Sequence, residues 1–166
     1  MIETPKVAEI ALGTAQWGSA YGITNKMGLL TDNDIDEIAT AAHELDVTKI
    51  DTAGSYGNAE RRLRPWAQGL AVTTKVRGAS DRAIADQLQE SLDHMGLKAV
   101  SACLIHDWSL MNAKQVVSAV AELEVLEQAG KVGSIGVSAY SEEELERALD
   151  AFPILSAVQV PCNVLD

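Results

Sequence analysis

Cysteine is scarce in this sequence, occurring only as Cys103 and Cys162, each inside an apolar, strand-like run. Two isolated cysteines without C-x-x-C spacing support neither a disulfide framework nor a zinc site. Buried, reduced thiols are therefore expected. The three histidines, His43, His94 and His106, are too scattered for H-E-x-x-H or a similar metal motif, so no metal is expected. No apolar run approaches the ~20 residues that cross a bilayer, and residues 1–6 lack the basic-then-apolar pattern of a secretory signal. A cytoplasmic protein with no membrane partner is the expectation. Positive charge is also short: 13 Lys and Arg stand against 24 Asp and Glu, a net charge of −11. Such a surface repels nucleic-acid phosphates, and no basic aromatic platform offsets it.

What is present is an ordinary soluble balance, with 47% apolar and 22% charged residues over 166 positions. Short β-branched or apolar runs alternate with longer segments of helical period. Strands are predicted at 7–12, 48–51, 71–76, 101–105, 133–138 and 157–160. Between them, helices are predicted at 34–46, at 58–68, from Asp81 to the Gly96 stop, and from about Val116 to Gly130. A fifth runs from Ser141 to Ala151. Thr31 with Asp34, and Ser141 with Glu144, resemble capping boxes. No Pro/Gly/Ser-rich linker or low-complexity tract divides the chain, so one domain over 1–166 is expected.

Strands alternating with helices of this length indicate βαβ units and a parallel sheet. A doubly wound sheet would be complete at this length, whereas a closed eight-stranded barrel typically needs ~250 residues. The dinucleotide fingerprint G-x-G-x-x-G is missing where it belongs. After the first strand the chain reads Gly13-Thr14-Ala15-Gln16-Trp17-Gly18.

Ionisable residues interrupt the apolar strands at one end only. Asp51 ends the second strand, Lys75 lies near the end of the third and His106 follows the fourth, with Tyr56 in the loop after Asp51. Each has a mundane reading alone, as a cap, a snorkelling lysine, a core histidine or a loop aromatic. Their shared edge is the argument, because the C-terminal rim of a (β/α)-barrel is where catalytic residues gather.

The motifs around these residues are specific. Asp51-Thr52-Ala53-Gly54-Ser55-Tyr56-Gly57-Asn58-Ala59-Glu60 is similar to D-T-A-x-x-Y-G-x-x-E, a motif of the aldo-keto reductases. Thr73-Thr74-Lys75, Leu104-Ile105-His106, Leu12 through Gly18, Ile135 through Ser138 and Gln159 through Asn163 resemble further motifs of that family, in the right order. Two positions depart from it: Ala139 stands in place of the usual Asn, and Cys162 in place of the usual Tyr.

The resemblance implies a (β/α)8 TIM-type barrel, here incomplete, with strands seven and eight unrepresented. It implies an N-terminal piece of a longer enzyme, or a part-barrel completed by self-association or a second chain. It further implies hydride transfer from NADPH, or from NADH, to an aldehyde or ketone. Tyr56 would be the general acid, Lys75 would lower the phenol's pKa, Asp51 would orient Lys75 and His106 would hold the substrate oxygen. Gly13, Thr14, Ser138 and Gln159 would border the nicotinamide, and Trp17 and Trp108 would shape the substrate pocket. The alternative is a catalytically inactive part-barrel serving as a regulatory or binding subunit.

Overall fold

The computed structural model describes residues 9–162. Residues 7 and 8 of the first predicted strand, and Asn163, lie outside that range. Six strands form one sheet in the order β1-β2-β3-β4-β5-β6, every neighbouring pair parallel. They are β1 (Ala11–Gly13), β2 (Lys49–Asp51), β3 (Ala71–Val76), β4 (Ala102–Ile105), β5 (Ile135–Ser138) and β6 (Ala157–Gln159). The helices are α1 (Ala15–Gly18), α2 (Asp32–Glu44), α3 (Ala59–Leu63), α4 (Ile84–Met95), α5 (Ala113–Gln128) and α6 (Glu142–Ala151). None of the described helices is long and apolar enough to cross a membrane.

Alternation along the strands sorts the two faces of the sheet. Ile50, Val72, Val76, Cys103, Ile105, Ile135 and Val137 point to the helices and join the core with Leu63, Leu88, Leu92 and Leu123. Lys49, Asp51, Ala71, Thr73, Ala102, Leu104, Ala157 and Gln159 line a trough of about 350 Å³ on the other face. That face is concave. In a flat sheet β2 and β6 would lie roughly 19 Å apart, four strand spacings. Yet Gln159 of β6 donates a 2.9 Å hydrogen bond to Asp51 of β2, so the sheet curls as part of a barrel wall. β1 and β6 are its edges among the described residues, and Val158 on β6 is 47% exposed.

Helix boundaries follow local chemistry. The Thr31–Asp34 capping box forms as expected. That at Ser141 is only half closed, because Glu144 accepts from the Tyr140 amide rather than from the cap residue's own. A box not anticipated, Asn112 with Gln115, opens α5. The second predicted helix is cut to Ala59–Leu63. Pro65 follows at once, and a proline ring clashes with the carbonyl four residues back. α4 begins at Ile84 rather than Asp81, since Ala83 is extended (φ −57°, ψ 142°). Its other end agrees with expectation, with Gly96 in the left-handed conformation that caps a helix.

The single turn α1 was not predicted, and two glycines explain where it sits. A Cβ on Gly18 would strike the Tyr56 carbonyl oxygen and the Ala59 amide nitrogen. A Cβ on Gly57, which has φ +59°, would strike the Gly18 carbonyl. Backbone thus packs on backbone, pressing α1 against the loop that carries Tyr56. Arg62 ties the same region together, donating to Asp32 (2.7 and 2.9 Å) and to the Leu30 and Trp17 carbonyls.

The cysteines part company. Cys103 is buried, and burial pushes its thiol pKa up to about 12. Cys162 is exposed and lies beyond β6 rather than within it, a correction to its expected burial. Two predictions follow from this packing. A thiol reagent should modify Cys162 in the native protein and reach Cys103 only after unfolding. Gly18→Ala should cost about 1–3 kcal/mol in urea denaturation, the usual range for overpacking a filled site.

Candidate active site

Three successive parallel strands deliver the charged and polar side chains to one edge. Register places Asp51 opposite Thr73 and Lys75 opposite Leu104, and His106 directly follows β4 with its amide on the Val76 carbonyl (2.9 Å). The loop after β2 is fixed by backbone bonds from Gly54 to the Lys75 carbonyl (3.2 Å) and from Tyr56 to the Ala53 carbonyl (3.0 Å). Tyr56 is thereby brought back over Lys75. Thr14, fully buried at the end of β1, donates its amide (2.9 Å) and hydroxyl (3.2 Å) to the Asp51 carbonyl, clamping the base of this loop.

Lys75 is only 3% exposed. A buried ammonium is tolerated only when paired and hydrogen-bonded, and this one is. Its Nζ donates to Asp51 Oδ1 (2.7 Å), Asp51 Oδ2 (2.8 Å), the Thr52 carbonyl (3.1 Å) and Tyr56 Oη (3.3 Å). Because Lys75 donates to the phenol oxygen, the Tyr56 hydroxyl proton is left for another acceptor. The imidazole of His106 stands edge-on to the Tyr56 ring, centroids 5.9 Å apart at 83°. The four residues expected to converge do so.

The electrostatics differ from expectation at Tyr56. The resemblance implied a pKa lowered by Lys75, whereas in this structure burial, then the Asp51 carboxylate, push it up to about 12. The physical reason is that burial disfavours the phenolate, and the negative Asp51 carboxylate beside it adds to that. Burial, then the Lys75 ammonium, hold His106 below the ordinary imidazole value, so its ring is neutral near pH 7.

The remaining expected residues fall into two groups. Ser138 ends β5 and Gln159 ends β6, in register with one another. Ser138 is buried, and the Gln159 amide nitrogen is bonded to Asp51. Gly13 ends β1 with open space where a side chain would be. Trp17 and Trp108, expected to shape a substrate pocket, are 2% and 3% exposed and pack in the core. Trp17 lies on the helix side of the sheet. Trp108 packs edge-on to Phe152 and beneath Arg147.

Two residues were not singled out from the sequence. Ser55 Oγ lies 3.1 Å from His106 Nδ1; it occupies an unspecified position of the D-T-A-x-x-Y motif, so no sequence signal marked it. Glu60 is 3% exposed and accepts a 2.6 Å bond from Thr74 Oγ1, next to Lys75. Its place as the last residue of the motif was the available signal. No group of three potential metal ligands occurs among the described residues.

A model of the aldo/keto reductase family matches residues 9–166. An aldo-keto reductase of Mycobacterium marinum is 34% identical over 165 residues, covering 93% of this chain and 57% of the relative. Among solved structures, the glycerol dehydrogenase of Gluconobacter oxydans superposes with a TM-score of 0.68 at 26% identity, over 99% of this chain and 54% of that one. The holo form of an aldo-keto reductase from Bacillus halodurans gives a TM-score of 0.74 at 16% identity, over 94% and 54% of the two chains. The chain thus spans little more than half the length of these relatives. The site geometry carries one prediction of its own. The phenolate absorbance lost in Tyr56→Phe, taken as a difference from wild type, should rise only as pH approaches 12; a midpoint near or below the free-phenol value of about 10 would contradict the arrangement.

Proposed function

This chain belongs to the aldo/keto reductase family, and on that premise we propose that it contributes the catalytic half of a NAD(P)H-dependent reductase acting on an aldehyde or ketone. The observation that carries the reading is the convergence of Asp51, Tyr56, Lys75 and His106 on one edge of a curled parallel sheet. No structural role needs a carboxylate, an ammonium, a phenol and an imidazole together there. A glycerol dehydrogenase among the structural relatives fits an alcohol–carbonyl pair as the reacting groups.

The residues present fit the nicotinamide end of such a cofactor. Gly13 leaves room for a flat ring, while Ser138 and Gln159 offer a hydroxyl and an amide side by side for a carboxamide. When bound, the cofactor supplies the hydride to the carbonyl carbon. Tyr56 donates its free hydroxyl proton to the carbonyl oxygen as the C–O double bond becomes single. The resulting phenolate is met by the Lys75 ammonium already bonded to Oη. A raised pKa keeps Tyr56 protonated throughout the neutral range, which suits the reductive direction. His106, neutral, donates a second hydrogen bond that fixes the oxygen and stabilises its developing charge. Asp51 holds Lys75 charged and aimed.

The test follows NADPH absorbance with a panel of aldehydes and ketones. Tyr56→Phe should lower kcat by about 10²–10⁴-fold, the usual range for losing a general acid, with NADPH binding by fluorescence unchanged. Wild-type rates in that variant would remove Tyr56 as the acid, and no turnover by the native protein with any carbonyl would replace this reading with a non-catalytic one.

A further inference from the structure

His106 has two ring nitrogens, and the one that carries the proton decides what the ring can offer a substrate oxygen. The ring is neutral near pH 7 because burial and Lys75 disfavour its charged form. One nitrogen therefore donates and the other accepts. Nε2 has no protein hydrogen-bond partner among the described residues, whereas Nδ1 lies 3.1 Å from Ser55 Oγ. A serine hydroxyl can donate or accept, so the pair has two states. With Ser55 donating to a bare Nδ1, the proton sits on Nε2. In the reverse state Nε2 is bare, and its lone pair would repel a carbonyl oxygen.

The position of Ser55 is not left to chance. Its neighbours on both sides are pinned, Gly54 by its amide on the Lys75 carbonyl and Tyr56 by its amide on the Ala53 carbonyl. The turn that presents the Tyr56 hydroxyl therefore also presents the Ser55 hydroxyl to His106. We propose that Ser55 is a positioning residue whose hydroxyl donates to His106 Nδ1 and so keeps the proton on Nε2, the nitrogen left free for a substrate oxygen. Its consequence for turnover rests on the reductase reading; the tautomer itself does not. One short loop then supplies the acid directly and sets the second donor through its partner.

The experiment is a long-range ¹⁵N–¹H correlation on the histidine-labelled chain, with the His106 signals assigned by their loss in His106→Asn. The wild type is expected to carry the proton on Nε2. Ser55→Ala should shift His106 towards a mixture of the two tautomers and lower kcat for carbonyl reduction about fivefold to tenfold, the worth of one lost hydrogen bond. Ser55→Thr, which keeps a hydroxyl, should restore both. A wild-type proton on Nδ1, or an unchanged tautomer in Ser55→Ala, overturns the proposal whatever the activity shows. A tautomer that responds as expected in a chain that reduces no carbonyl supports the Ser55 assignment and sinks the reductase reading instead.

Discussion

Everything at the candidate site hangs on the buried ion pair of Lys75 and Asp51. An ammonium 3% exposed could not persist there unless its charge and protons were answered, and the carboxylate does both with bonds of 2.7 and 2.8 Å. Leaving Lys75 buried without the carboxylate costs roughly 3–5 kcal/mol, a large share of the stability of a domain of this size. The pair therefore locks β2 to β3 and aims the remaining donors of Lys75. One goes to the Thr52 carbonyl and holds the following loop, and one goes to Tyr56 Oη.

Burial sets the state of the phenol, and the Asp51 carboxylate reinforces it by disfavouring a second negative charge. The ionisable groups are thus held apart in role. Lys75 and Asp51 form a charged pair, while Tyr56 and His106 remain neutral hydrogen-bond donors or acceptors in the neutral pH range. Gln159, bonded to Asp51 from the far side of the trough, joins β6 to this charged centre.

Backbone contacts supply the precision that side chains alone would not. Gly18 and Gly57 let α1 touch the Tyr56 loop without intervening side chains. Glu60, buried and bonded to Thr74, anchors the start of α3 to the strand that carries Lys75. The motif D-T-A-x-x-Y-G-x-x-E therefore reads as one mechanical unit. Its first residue binds the lysine, its glycine admits α1, and its last residue returns the chain to β3.

The alternation of strands and helices, the parallel sheet and the edge on which Asp51, Tyr56, Lys75 and His106 meet were legible in the residue pattern, because period and strand-end chemistry are local properties. Boundaries set by one nearby residue were legible less evenly. Gly96 marked the end of α4 correctly, whereas Pro65, in plain view, cut a helix expected to run on to residue 68. The burial of Trp17 and Trp108, the exposure of Cys162 and the raised pKa of Tyr56 depend on which atoms the curled sheet brings together. So does the bond between Ser55 and His106, residues 51 positions apart. The linear pattern determined which chemical groups reach the rim; only the tertiary structure decided how their charges and protons are shared, since that depends on distances of a few ångströms between segments far apart in the chain.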